Sequence, residues 1–296
     1  MRCSIPGCAM PRDPAARRQP AGALRRLLAD PNAALGVALV VLLILAALLA
    51  PALAPHDPTA ISLAAAYQGP SGDHWLGTDE VGRDILSRVL YGTRLSLMTG
   101  FAAVGVALAL GLPIGMLAGF GGRAGDLLLM GMMDVLLAFP TLLLAILIVT
   151  ILGSGVESAM LAVGLSSVPV FARLVRASAL VIREADYVAA ARAIGSRPLR
   201  VALRHVLPNA TSALVVQSTL RVATAILTAA GLGFLGLGAQ PPVAEWGLML
   251  NQGRAYLQAA PHIVLVPSLA IMLAVLAFNL FGDGLNDALN PRLRDR

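Results

Sequence analysis

Lysine is absent from the 296-residue chain, and charged residues of any kind make up only 13% of it. A Walker A loop needs a lysine to reach the nucleotide phosphates, so the chain cannot hold ATP in that manner. Cysteine is nearly as scarce. Cys3 and Cys8 stand near the start with no His or Cys partner at metal-site spacing, and they read as incidental reduced thiols. The four histidines, His56, His74, His205 and His262, are scattered along the chain with no metal-ligand spacing. No nucleophile, base and acid fall into a catalytic constellation, so no catalytic residue and no metal site are assigned, and the chain is not expected to be an enzyme.

What is abundant is apolar surface. With 57% hydrophobic residues and a mean hydropathy of +0.79, the composition excludes a soluble domain of this length and defines a polytopic membrane protein. About six runs reach the roughly 20 residues that a helix needs to cross the hydrocarbon core. They cover Ala33 to Ala54, Leu95 to Phe120, Leu127 to Leu152, Ser158 to Ile182, Ala210 to Leu237 and Ile263 to Phe281.

Arginine placement orients these spans, because basic residues concentrate in the short loops on the cytoplasmic side. With both termini inside, the inner set holds Arg2, Arg12, Arg17, Arg18, Arg25, Arg26, Arg123, Arg173, Arg176, Arg183, Arg192, Arg197, Arg200, Arg204, Arg292, Arg294 and Arg296. The outer set is only Arg83, Arg88, Arg94 and Arg254. This asymmetry accounts for a pI near 10.3 without nucleic acid as a partner. The first apolar run ends in Ala52-Leu53-Ala54, as a signal peptide can, but about 20 apolar residues exceed a signal core of roughly 7 to 15, which favours an uncleaved first span.

Between the first two spans lies an outer segment, Pro55 to Arg94. Within it Thr78 can cap a helix over about 79–91, with Val81, Ile85, Leu86, Val89 and Leu90 on one side. Arg83, Asp84, Ser87, Arg88 and Tyr91 fall on the other, a pattern that predicts either a helix at the membrane surface or one that leads into the second span.

The most informative stretch is ADYVAAARAIGSRPLRVALRHVLPN, Ala185 to Asn209, a basic loop held between two apolar runs. Gly195 can take the left-handed backbone angles that let two short helices meet sharply. Ala189, Ala190 and Ala191 are small, good helix formers that can lie in a partner's groove, and Pro208 suits the first turn of the fifth span. Spacing alone leaves two readings open, an ordinary amphipathic loop and a receiving surface for another protein.

Inside the spans, Ala103, Ala107, Gly111, Gly115 and Gly119 recur every four residues and form a narrow ridge for close helix approach, through which Pro113 should introduce a bend. Asp134 and Arg221 are charges within spans, where an unpaired charge is costly. Gln217, Arg221, Thr224 and Thr228 share one helical face. That stripe is either a water-filled pathway or a buried network, the latter including an Asp134 to Arg221 pair.

The loop from Ala189 through Gly195 to Leu207-Pro208 resembles the EAA loop of ABC-importer permeases. HWLGTDEVGRDILSRVLYGTRLSL, from His74 to Leu97, is similar to the opening of the dipeptide/oligopeptide/nickel permease family, second of its two permease subunits. DVLLAFPTLLLAI at Asp134 to Ile146, GFLGLGAQPPVAEWG at Gly233 to Gly247 and FNLFGDGLNDALNPRLR at Phe278 to Arg294 extend the likeness in the expected order. Three positions depart from the pattern. Ala189 stands where an acidic or amide residue is usual, Thr228-Ala229-Ala230-Gly231 lacks a carboxylate often found there, and His205 replaces a branched aliphatic residue.

The resemblance implies an all-α integral membrane protein with about six transmembrane helices and the ABC importer type I permease fold, in the bacterial inner membrane with both termini cytoplasmic. It divides the chain into a cytoplasmic tail at 1–31, a first span and outer segment at 32–94, a core permease at 95–285 with the coupling loop at about 184–208, and a tail at 286–296. Ala189, Ala190, Ala191, Ile194, Gly195, Arg197 and Pro208 are the implied ATPase-coupling residues. No cofactor is bound by the chain itself. ATP and Mg belong to two cytoplasmic ABC ATPase subunits, and the other implied partners are a homologous second permease subunit forming a heterodimer, an extracytoplasmic solute-binding protein and membrane lipid. The expected cargo is a di- or oligopeptide, with a glutathione-like compound or nickel chelate as substrate alternatives. An ATP-independent secondary transporter or channel is the alternative of a different class.

Overall fold

The computed structural model describes residues 27–196 and 198–289; Cys3, Cys8 and Arg197 lie outside them, as does most of both tails. Among the described residues there are helices and no strands. The first, α1 (Pro31–Leu53), starts where Asp30 caps it, its carboxylate accepting from the Asn32 N–H at 2.9 Å. Ala33, Gly36, Val40, Ala47 and Ala50 are its buried face, while Leu42 and Leu48 point outward. Water does not drive helices together inside lipid, so close backbone packing must do so. Gly36 accordingly sits against the backbone of Leu280 and Phe281 in the last helix, α10 (His262–Leu289).

The second helix, α2 (Ile85–Phe120), is 36 residues long. Its ridge of small residues meets α5 (Val156–Arg183). A Cβ added at Gly111 would lie 2.6 Å from Phe171 Cβ, and one at Gly115 only 2.4 Å from the Ala172 carbonyl oxygen. The ridge is therefore a helix contact within the chain, and α2 with α5 forms the centre of the bundle. Phe171, Ala172 and Val175 on α5 are fully or almost fully buried there.

The third expected span, Leu127 to Leu152, is not one helix. It is α3 (Gly122–Ala138) and α4 (Thr141–Leu152), which meet at 97°. The cause is Pro140, whose ring pushes the preceding residue out of helical angles. Phe139 accordingly has φ −86° and ψ 136°. Among the described residues five helices are each long and apolar enough to cross a membrane, and this broken pair can supply a sixth crossing.

A short α6 (Asp186–Ala193) and α7 (Pro198–Val201) follow α5. The chain then passes through one π-helical stretch, Ala202–Val206, into α8 (Leu207–Phe234). Pro208 does sit in the first turn of α8, as expected, but the helix follows directly from the π-helical stretch and not from an open loop. The wider π turn, in which the Leu207 N–H donates to the Ala202 carbonyl, leads the chain into the proline and keeps the helical path continuous. On the opposite face, α9 (Trp246–Gly253) folds back over α8 and α10.

Candidate coupling and translocation site

The loop at 184–208 projects from the ends of α5 and α8. Val188 is its buried anchor, fully shielded, whereas Ala189 and Ala190 are exposed, Ala191 is half-buried and Ile194 is 86% exposed. Gly195 has φ +86°, and the Ser196 N–H returns to the Ala191 carbonyl at 3.0 Å. This six-to-one bond with a left-handed glycine is the Schellman way of ending a helix. No atom lies within 4 Å of a Cβ added at Gly195, so glycine is required by torsion and not by space. Tyr187 packs against His205 with ring centroids 5.7 Å apart. Asn209 Nδ2 donates to the His205 carbonyl at 2.6 Å, and these contacts steady α6 against the entrance to α8.

The same end of the bundle is tied by arginines of α5. Arg176 grips Asp126 of α3 through two nitrogens, and Arg183 Nη1 donates to the Gly119 carbonyl of α2 at 3.1 Å. Asp134 pairs with Arg173 and not with Arg221. The expected Asp134 to Arg221 pair fails because α3 packs along α2 and α5, away from the face of α8 that carries Arg221.

Gln217, Arg221, Thr224 and Thr228 do share a face of α8. Thr224 is exposed and the other three are half-buried. The threonine hydroxyls donate to carbonyls of their own helix, Thr224 to Arg221 at 3.0 Å and Thr228 to Thr224 at 2.8 Å. Among the described residues nothing accepts from the Arg221 guanidinium. A span thus presents a charge, an amide and hydroxyls on a face that its own chain leaves partly open.

At the opposite end, the segment before α2 departs from the expected surface helix. Thr78 caps nothing; its hydroxyl donates to the Ala65 carbonyl and accepts from the Gln68 N–H at 2.9 Å. Asp84 is the true N-cap, its Oδ2 accepting from Ser87 N at 2.8 Å. Arg83, Asp84, Ser87 and Arg88, assigned to the polar outer side, are all buried. Arg83 Nε binds Asp79 Oδ2 at 2.6 Å and Arg88 Nε lies 3.4 Å from the same oxygen, while both arginines reach Gln252 Oε1, near the end of α9, at 3.3 and 3.2 Å. Charge compensation, not apolarity, buries this side. The density of charges in TDEVGRD was the available sign.

Glu245 fixes the start of α9. It caps α9 by accepting from Gly247 N and Leu248 N, each at 2.8 Å. Burial pushes its carboxyl above the ordinary range, with the two backbone donors pulling the other way. Trp246 beside it is fully buried and donates Nε1–H to the Val89 carbonyl of α2 at 3.1 Å.

Membrane helices around a broken pair, with an exposed short helix between two spans at one end, define a type I ABC importer permease. Solved structures share the fold: the inward-facing MetNI methionine ABC transporter at TM-score 0.56 and 19% identity, covering 69% of this chain and 96% of that one, and an amino acid ABC transporter with histidines at TM-score 0.53 and 17% identity, covering 69% of this chain and 95% of that one. The chain belongs to the family of binding-protein-dependent transport system inner membrane components, whose model matches residues 111–295. The N-terminal TM domain of oligopeptide transport permease C matches residues 21–70. Dipeptide transport system permease protein DppC of Alkalihalophilus pseudofirmus is 51% identical over 77% of this chain and 75% of its own. Glutathione transport system permease protein GsiD of Pectobacterium atrosepticum is 50% identical over the same shares. The chain is therefore a multi-pass inner-membrane permease of an ABC importer, a class that works with ATPase subunits and a solute-binding protein. This family displaces the ATP-independent alternative.

Proposed function

We propose that the chain is one half of a heterodimeric peptide permease, paired with a homologous subunit in the lipid bilayer, and that α6 is its coupling helix. The single observation that carries this reading is the form of the loop: a short helix anchored by buried Val188, ended by left-handed Gly195, and presenting exposed Ala189, Ala190 and Ile194. Small residues allow a partner's groove to close around the helix, and Ile194 offers apolar area to bury there. With the loop inside, both termini are cytoplasmic and the 54–84 segment faces out, in accord with the arginine distribution.

Two partner ATPases hold ATP with Mg and hydrolyse the ATP, while this chain contributes no catalytic group. Closure of those ATPases moves α6, and α5 and α8 carry that motion into the bundle. Gln217, Arg221, Thr224 and Thr228 line part of the pathway. There the guanidinium of Arg221 offers a fixed positive charge to a peptide carboxylate. The names of the similar permeases favour a dipeptide or glutathione as cargo over a nickel chelate. Proteoliposomes carrying the whole complex test this: ATP-dependent uptake of a labelled dipeptide or of glutathione is the expected result. Uptake that proceeds without ATPase subunits would overturn it.

A further inference from the structure

Histidines far apart in sequence meet in space. His56, from the segment after α1, and His74, from the loop before α2, both turn Nδ1 toward Asp84 Oδ1, at 3.8 and 2.9 Å. The three ligand atoms all lie within 4.8 Å of one another. Each group is also held from behind. Asp84 Oδ2 is occupied by the Ser87 N–H and hydroxyl at 2.8 and 2.7 Å, which leaves Oδ1 to the histidines. Ser87 Oγ in turn accepts the His56 backbone N–H at 3.1 Å, and His74 is fixed by its N–H on Ser71 Oγ at 3.1 Å and by Ser71 N on its carbonyl at 2.8 Å. The Ser87 bonds orient the Asp84 carboxylate as such partners orient metal ligands, and the backbone bonds fix where the two histidines start.

Charge points the same way. The Asp84 side chain is completely buried. Among the described residues no arginine pairs with it, because Arg83 and Arg88 are both turned to Asp79. A buried carboxylate is costly without a cation, and two imidazoles supply one only when protonated. A metal ion supplies it with both rings neutral.

We propose that His56 Nδ1, His74 Nδ1 and Asp84 Oδ1 bind one first-row divalent transition-metal ion on the face opposite the coupling loop. Two imidazoles and one carboxylate suit zinc and its neighbours, not the oxygen-only shells of magnesium or calcium. Ligand bonds of about 2.0–2.2 Å around a tetrahedral ion set ligand atoms about 3.4 Å apart; the two histidine-to-aspartate separations of 2.9 and 3.8 Å bracket that value, and the spread of the three atoms, up to 4.8 Å, requires the exposed His56 ring to draw in around the ion. The ion takes the place of the proton between His74 and Asp84, and the neutral ring carries its proton on Nε2. Water fills the fourth position, and His56, whose side chain is 41% exposed, marks the way in. The bound ion staples the outer segment to the start of α2, beside the Asp79–Arg83–Arg88 clasp.

The test uses the full-length permease in its complex, with Cys3→Ser and Cys8→Ser to remove stray thiols, stripped with EDTA and titrated with zinc chloride. Against His56→Ala, the parent complex should hold one more zinc ion per permease by elemental analysis. It should also gain melting temperature on zinc addition. His74→Ala should weaken zinc binding by at least about tenfold. Among the described residues the His56 ring meets only His74 and Asp84 of the site itself and is 41% exposed, so its variant keeps the test decisive if His74→Ala misfolds. Equal zinc content in the parent and His56→Ala, or stabilisation by low pH alone with no zinc uptake, would overturn the proposal.

Discussion

Replacing Gly195 with valine separates coupling from folding. The native φ of +86° is one that L-residues resist, at about 1–2 kcal/mol for an ordinary side chain and more for a β-branched one. Because no atom lies within 4 Å of the added Cβ, no clash adds to this torsional cost. The bundle is therefore untouched, and the strain is relieved locally by giving up the Ser196 to Ala191 bond that ends α6. An eight-residue helix has little stability of its own. A shift of about 1–2 kcal/mol already alters its local equilibrium by a factor of roughly 5 to 30, and valine should exceed that. In the reconstituted complex the Gly195→Val permease should insert and assemble at normal yield, while solute-stimulated ATP hydrolysis falls severalfold. Gly195→Asn should fall less, since Asn tolerates left-handed angles. Full stimulated hydrolysis by the valine variant would refute the assignment of this turn to coupling.

Arg221→Gln should lower uptake while expression and assembly stay intact, and adding Asp134→Asn should restore nothing, because Asp134 pairs with Arg173; loss of assembly rescued by the second change would contradict this. Gly115→Leu should reduce the monodisperse fraction in size-exclusion chromatography, since overpacking costs about 1–3 kcal/mol or more and the new Cβ lies 2.4 Å from the Ala172 carbonyl oxygen. Gly105→Leu, with open space around it, is the tolerated control on the same helix. Glu245 has a folded-state pKa above its unfolded one, so its contribution to stability is whole at acid pH and declines as pH rises from the ordinary carboxylate range through the raised value. Glu245→Gln should flatten that slope in thermal unfolding, and an unchanged slope would show that another group sets it.

Long apolar runs made most spans legible, since a lipid-facing helix needs only length and hydropathy. Loop spacing made α6 legible, because a left-handed turn needs glycine and Gly195 supplied it. Hydropathy misjudged Arg83, Asp84, Ser87 and Arg88, reading polarity as exposure where ion pairing and capping compensate burial. The break at Phe139-Pro140 was missed because the two halves together still read as one span-length apolar run. Partner choice for Asp134, and the meeting of His56 with His74, depend on how distant segments pack, which no local period encodes.

Contact between α6 and an ATPase is the central claim, and cross-linking measures it directly. Ile194, 86% exposed, can be changed to cysteine in a background lacking Cys3 and Cys8, and treated in native membranes with a short bifunctional reagent. The expected result is an adduct between Ile194→Cys and the ATPase subunit whose yield changes with nucleotide, and none from Gly69→Cys on the opposite face. An ATPase adduct from Gly69→Cys, or its absence from Ile194→Cys in an assembled and active complex, would contradict it.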